Sequence, residues 1–152
     1  MQSDMLHLHS FLRWAIVLAG LWAVIRSLKG VTGKTPFTPA DKKAGLFFMI
    51  ACDLQLLVGL ILYFFVSPLS KAGLADMGAA MKDPVLRFFT VEHEILAIVA
   101  IALVHIGKSK IKKAATDAQK HKLGLIFFGL AFILILALIP WPFREALGKG
   151  WF

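Results

Sequence analysis

The chain has 152 residues and 59% of them are hydrophobic, well above the roughly 45–50% apolar content of ordinary soluble domains. Four apolar runs, at about 6–28, 45–66, 88–107 and 123–142, each reach the roughly 20 residues that a membrane-spanning helix needs. They use up most of these residues and leave no room among them for a soluble catalytic domain. We therefore predict an all-α fold, a single transmembrane four-helix bundle whose chemistry lies between the helices or at their ends.

The basic residues that produce the formal net charge of +8 are concentrated in particular loops. Of the 17 Lys and Arg residues, 11 lie between the first and second runs or between the third and fourth. The positive-inside rule predicts that both of these loops are cytoplasmic, and that both termini and the 67–87 loop are periplasmic in a bacterial inner membrane. The basic excess then reflects topology and contact with the lipid bilayer, so we do not expect nucleic-acid binding.

The first run begins "LHLHSFLRW" and carries His7, His9 and Arg13. The two histidines lie about 200° apart around a helix, so we expect only one of them to face a given pocket. We favour His9, because Arg13 follows it four residues later on the same face, whereas His7 lies closer to water. The alternative is that both histidines are interfacial residues that touch lipid headgroups.

The second run follows "TPAD" (38–41), which is typical of a helix cap and first turn. It carries Asp53 and Gln55 near mid-membrane, where an ionised carboxylate costs at least about 2.5–3.5 kcal/mol. One interpretation is a proton relay, with Asp53, Gln55 and His105 as candidates. The other is a helix–helix hydrogen bond, with Gln55 and Gly59 marking a close-packed face.

The third run, "VEHEILAIVAIALVHIG" (91–107), contains two histidines. His93 lies about six residues inside its helix and His9 about four inside the first, which places both roughly 6–9 Å below their helix ends. A b-type haem needs two imidazoles from different helices at one depth, with small residues beside the ring. Ala97 and Ala100 follow His93 on one face, so His9 and His93 are candidate axial ligands of the haem iron.

His105 is expected to play a different part. It follows His93 by 12 residues, which leaves the two about 120° out of phase on a helix. We expect His105 to mark the cytoplasmic boundary beside Lys108, as an interfacial or proton-exchanging histidine. A second haem held by His105 and His121 is a weaker alternative.

The fourth run is followed by "IPWPFREALGKGWF" (139–152). Its prolines end the helix, and Trp141 and Trp151 are placed as anchors at the membrane interface. Arg144 lies at the membrane surface, where it or Arg13 would neutralise haem propionates.

The two halves of the chain are similar in their polar segments, "TPADKKAGLFF" (38–48) and "TDAQKHKLGLIFF" (116–128). A duplicated helical hairpin would relate the halves by a pseudo-two-fold axis along the membrane normal. His9 and His93 would then occupy equivalent helices. A short match in basic and apolar sequence also arises by chance.

The segments "LHLHSFLRW", "DLQLLVGLILYF", "VEHEILAIVAIALVHIGKSK" and "IPWPFR" resemble a family of small four-helix bacterial membrane proteins. The family occurs in Bacteroidetes-type genomes and is loosely labelled cytochrome b-like. The resemblance covers nearly the whole chain. It implies a four-helix membrane fold and haem, and it implies no substrate.

We therefore expect a small electron-transfer protein that binds one haem b near the periplasmic side, with quinone or other membrane respiratory subunits as redox partners. One alternative is a haem-free accessory or assembly subunit of a larger respiratory complex. Another is a small proton-linked transporter around Asp53, and a homo-oligomer is open in each case. No nucleophile–base set, HExxH motif or phosphate-binding loop is present, so an electron carrier or subunit is favoured over a stand-alone enzyme.

Overall fold

The computed structural model describes residues 1–152, and no β-strand is present. Four spans are long and apolar enough to cross a membrane, at Gln2–Gly33, Pro39–Val66, Pro84–Lys113 and Asp117–Leu138. The predicted all-α four-helix bundle is confirmed, and the chain is a multi-pass membrane protein. Its helices are α1 (Gln2–Gly33), α2 (Pro39–Ile61), α3 (Pro68–Ala75), α4 (Met77–Ala80), α5 (Pro84–Arg87), α6 (His93–Lys113) and α7 (Asp117–Leu138).

Two π-helical turns, Leu62–Val66 and Phe88–Glu92, connect α2 to the following loop and α5 to α6. In the second turn the backbone N–H of His93 donates to the carbonyl of Phe88, the five-residue spacing that defines a π turn. Each π turn continues a membrane-spanning segment, so the polypeptide stays helical through it.

The second, third and fourth spans begin earlier than the apolar runs predict, because capping residues rather than hydropathy set their first turns. Asp83 accepts hydrogen bonds from the backbone N–H groups of Val85 and Leu86 at 2.9 Å, and Thr116 caps α7 through Gln119. At its other end α7 stops at Leu138, short of the predicted residue 142. Pro140 follows directly and cannot supply a helical N–H.

The four long helices form a square in cross-section. α1 packs against α2 and α7, and α6 packs against the same two helices, so α1 and α6 occupy opposite corners. The seam between α2 and α6 is the least extensive of the four. If α1–α2 and α6–α7 are equivalent hairpins, α1 corresponds to α6 and α2 to α7. Each of these pairs lies on a diagonal of the square, as a pseudo-two-fold axis requires.

Glycines at the helix crossings let large aromatic rings fill the core. A Cβ placed on Gly20 would lie 2.7 Å from Cδ2 of Phe132, and one on Gly107 would lie 2.6 Å from Cβ of Phe127. Phe48 and Phe128 meet edge to face with their ring centroids 5.9 Å apart. Close approach through small residues is how helices pack when lipid offers no hydrophobic driving force.

The two ends of the bundle differ in chemistry. The lysine-rich end contains the two short connections, 34–38 and 114–116, and the terminal end contains both chain termini and residues 67–87. At the lysine-rich end His121 is completely buried against Gly30, and its Nε2 lies 3.0 Å from the carbonyl oxygen of Thr35. These contacts explain His121 as a residue that joins α7 to the end of α1.

Candidate functional site

A cavity of about 690 Å³ opens at the terminal end, between the four long helices. This volume is within the range of small-molecule and cofactor sites. Most of its wall area is apolar, and polar side chains from several elements also reach it. The ionisable ones are His7, His9, Arg13, Cys52, His93, Glu94 and Lys149.

His9 and His93 face each other across this cavity. Their ring centroids are 6.3 Å apart and their ring planes meet at 58°. His9 comes from α1 and His93 begins α6, the helices at opposite corners of the square. The structure therefore brings together the two histidines that the sequence singled out by depth.

A backbone carbonyl fixes the orientation of His93. Its Nδ1 lies 3.1 Å from the carbonyl oxygen of Leu138, the last residue of α7. A carbonyl only accepts hydrogen bonds, so Nδ1 carries the proton and Nε2 is left with a lone pair. This arrangement is typical of metal-ligating histidines, whose second nitrogen donates to a carbonyl or carboxylate.

His9 is held by neighbours on α2, and one of its nitrogens is unpaired. Its Nδ1 is buried and has no hydrogen-bond partner. The side chain of Gln55 donates to the backbone carbonyl of His9 at 3.0 Å. A Cβ on Gly59 would lie 3.2 Å from Cε1 of the His9 ring, so any larger residue here would press on the imidazole.

His7 also lines the cavity, so the expectation that only one of the two N-terminal histidines would reach the pocket is wrong. The cavity widens at the beginning of α1, where Gln2, Ser3 and Leu6 form its rim. An open rim can be lined from more than one side of a helix. His7 is exposed there, whereas His9 lies deeper and meets His93.

Arg13 is the buried cation of the cavity wall. Its side chain is only 6% exposed, and its guanidinium donates to the carbonyls of Gly150 and Trp151 at 3.0 and 2.5 Å. Its Nε is buried without a partner. The tail is thereby drawn over the cavity, and Lys149 becomes part of the wall.

Arg144, the other candidate partner of a propionate, is placed elsewhere. Its guanidinium donates to the carbonyls of Ala137 and Ile139 at the end of α7 and lies over the ring of Phe88. It does not line the cavity. Lys149 is the cavity cation that sequence reasoning missed, because only the folded tail brings it there.

The three proton-relay candidates do not form one cluster. Nε2 of His105 lies 2.7 Å from Oδ1 of Asp53, on the outside of the bundle and away from the cavity. Gln55 points to the cavity side and contacts α1 instead. α6 continues beyond His105 to Lys113, through the four lysines that follow it.

His105 and His121 have separate contacts, with Asp53 and with Thr35 respectively. No group of three or more His, Cys, Asp or Glu side chains could hold a metal ion. Comparisons with protein-family models, with curated proteins and with solved structures find no match to this chain. The functional assignment therefore depends on the geometry of the cavity itself.

Proposed function

We propose that this protein is a small b-type cytochrome of the bacterial inner membrane that carries electrons with one haem in the cavity at its terminal end. His9 and His93 would hold the haem iron. The observation that carries the proposal is the opposed imidazole pair, with ring centroids 6.3 Å apart, at the wall of an apolar cavity.

The spacing of the rings suits a shared metal ion. Two imidazoles bound to one ion through bonds of about 2 Å each have their ring centres roughly 6 Å apart. Rotation of either ring about the axis through the ion does not change this spacing, so an angle of 58° between the ring planes is compatible with it. A macrocycle provides the other ligands of haem iron, so two protein side chains complete the set.

The residues around the pair have distinct tasks. The carbonyl of Leu138 keeps the Nε2 lone pair of His93 directed away from α7. The unpaired Nδ1 of His9 is a buried polar atom that otherwise has no compensation for its lost hydration. Ala97 adds a small apolar wall beside His93, and Arg13 and Lys149 offer positive charge to acidic groups of the cofactor.

Haem, when bound, supplies reversible one-electron transfer. The chain contributes a largely apolar cavity that opens at the terminal end of the bundle. The loop charges favour the periplasmic surface for this end of the bundle. We propose that the redox partners are quinone in the bilayer or other membrane respiratory subunits.

An absorption spectrum of the reduced, purified protein tests the proposal. The wild-type protein from haem-replete cells should show the sharp Soret and α bands of low-spin haem b. His9→Ala and His93→Ala should each abolish these bands or convert them to a high-spin form, because low-spin iron needs an imidazole on both faces.

Two histidines provide matched controls. His105→Ala removes an imidazole from the outside of the bundle, and His7→Ala removes one from the cavity rim, so both variants should keep the low-spin spectrum. Colourless wild-type protein would contradict the proposal and favour a haem-free accessory subunit. If the low-spin spectrum depends on His7 and not on His9, His7 at the cavity rim is the iron ligand instead.

A further inference from the structure

Asp53 on α2 and His105 on α6 form a polar pair on the outer surface of the bundle. Their side chains are 45% and 47% exposed and are joined by a 2.7 Å contact. Apart from Ser109, one helical turn beyond His105, the exposed residues around them are apolar: Ile50, Leu54, Leu57, Ile98, Ala102 and Ile106. We call the Asp53–His105 pair and these six apolar residues the α2/α6 face.

The polar pair lies well inside the membrane-spanning segments. Asp53 follows the first residue of α2 by 14 positions, which is about 21 Å along a helix. His105 precedes Lys108, the first lysine of α6, by three positions, about 4.5 Å, so the pair extends from the apolar part of α2 towards the lysine-rich end. Polar and ionisable side chains within a spanning segment are costly and normally face protein.

Each member of the pair has an unused polar atom. Within the chain, Oδ1 of Asp53 and Nε2 of His105 bind each other, while Oδ2 and Nδ1 have no partner. A second pair of the same kind would supply the missing contacts, because Oδ2 of one Asp53 complements Nδ1 of the other His105. The pair is therefore self-complementary in its hydrogen bonding.

We propose that the α2/α6 face binds a second copy of this chain to form a parallel two-fold dimer, closed by hydrogen bonds between the two Asp53–His105 pairs. Both copies insert into the membrane with the same orientation, so a two-fold axis along the membrane normal keeps every residue at its own depth. Such an axis brings each pair opposite its copy, as an isologous interface requires.

The protons of the four groups balance. With neutral side chains, Nε2–H of each His105 donates to Oδ1 of its own Asp53, and Oδ2–H of that Asp53 donates to Nδ1 of the other copy. Moving the acid proton onto the imidazole gives a carboxylate and an imidazolium with the same four hydrogen bonds. Either form leaves the dimer interface uncharged overall and independent of any haem.

Cross-linking in intact membranes tests which face is covered. In a Cys52→Ala background, Ala102→Cys puts a thiol one helical turn from His105, and a short bis-maleimide should yield a species of twice 16.8 kDa. Ile133→Cys is the matched control, because Ile133 is 64% exposed on α7, outside the α2/α6 face. Cross-linking at Ile133 equal to that at Ala102, or an Ala102 product with a protein of another mass, would overturn the proposal.

Two substitutions of Asp53 distinguish a contact between two copies of the chain from a contact that only joins α2 to α6 within one copy. Asp53→Leu removes both hydrogen bonds and should reduce the Ala102 cross-link at least tenfold, while a lipid-facing leucine leaves the monomer folded. Asp53→Asn keeps one acceptor and one donor in the same places, so the cross-link should persist. Equal cross-linking in the leucine variant would refute the dimer, and circular dichroism verifies that both variants remain helical.

Discussion

Asp41 should be a major contributor to stability at the lysine-rich end, and Asp41→Ala tests this. The carboxylate is 5% exposed and accepts hydrogen bonds from the backbone N–H of Thr38 at 2.8 Å and from Nε of Arg26 at 2.6 Å. Its loss removes a cap interaction worth about 1 kcal/mol and a charge-assisted hydrogen bond worth about 1.5–3 kcal/mol. Because the Arg26 side chain is 34% exposed and water can replace its partner, we take the lower value for that bond.

The expected destabilisation is therefore about 2.5 kcal/mol, which lowers the midpoint of thermal unfolding by roughly 5–10 °C for a chain of this size. Thermal unfolding followed by circular dichroism in one detergent measures it. Asp117→Ala is the matched control, because Asp117 is exposed in the first turn of α7 and loses only a dipole interaction of about 0.3–1 kcal/mol. A midpoint for Asp41→Ala no lower than that of Asp117→Ala would refute the reasoning.

Further predictions concern the cavity and the membrane orientation. Gly59→Ala should weaken haem binding about tenfold, because the new methyl carbon would lie 3.2 Å from His9, closer than the roughly 3.5–4.0 Å of a relaxed carbon contact. Gly129→Ala should leave the haem titration unchanged, since no atom lies within 4 Å of its added Cβ, and equal effects would argue against the placement of His9. Reporter fusions after Phe152 should be active only in the periplasm, and fusions after Ala115 only in the cytoplasm; the reverse result would invert the bundle.

The elements that the sequence predicted correctly depend on local signals. Hydropathy over 20-residue windows identified the four spans, and the segment "TPAD" (38–41) marked the start of α2, where the Asp41 carboxylate accepts a hydrogen bond from the backbone N–H of Thr38. The similar depth of His9 and His93 followed from counting residues from each helix start. Such a count needs only the rise of a helix and two ends at one membrane surface.

The remaining features required information about the tertiary fold. The position of Lys149 depends on the tail folding back to Arg13, a contact across most of the chain. The pairing of Asp53 with His105 depends on which helices are neighbours, which the phase of one helix does not determine. The phase of His105 on α6 relates it only to His93 on the same helix and gives no information about its position relative to α2.

The π turn at Phe88–Glu92 has a consequence for how this fold can change over evolutionary time. A π turn holds one more residue than the α-helical path needs, and one residue corresponds to about 100° of rotation. The direction of α5 and the preceding loop is thereby uncoupled from the direction of His93. Residues 67–87 can change in length or direction while the imidazole of His93 stays aimed across the bundle, because the offset is taken up before the histidine is reached.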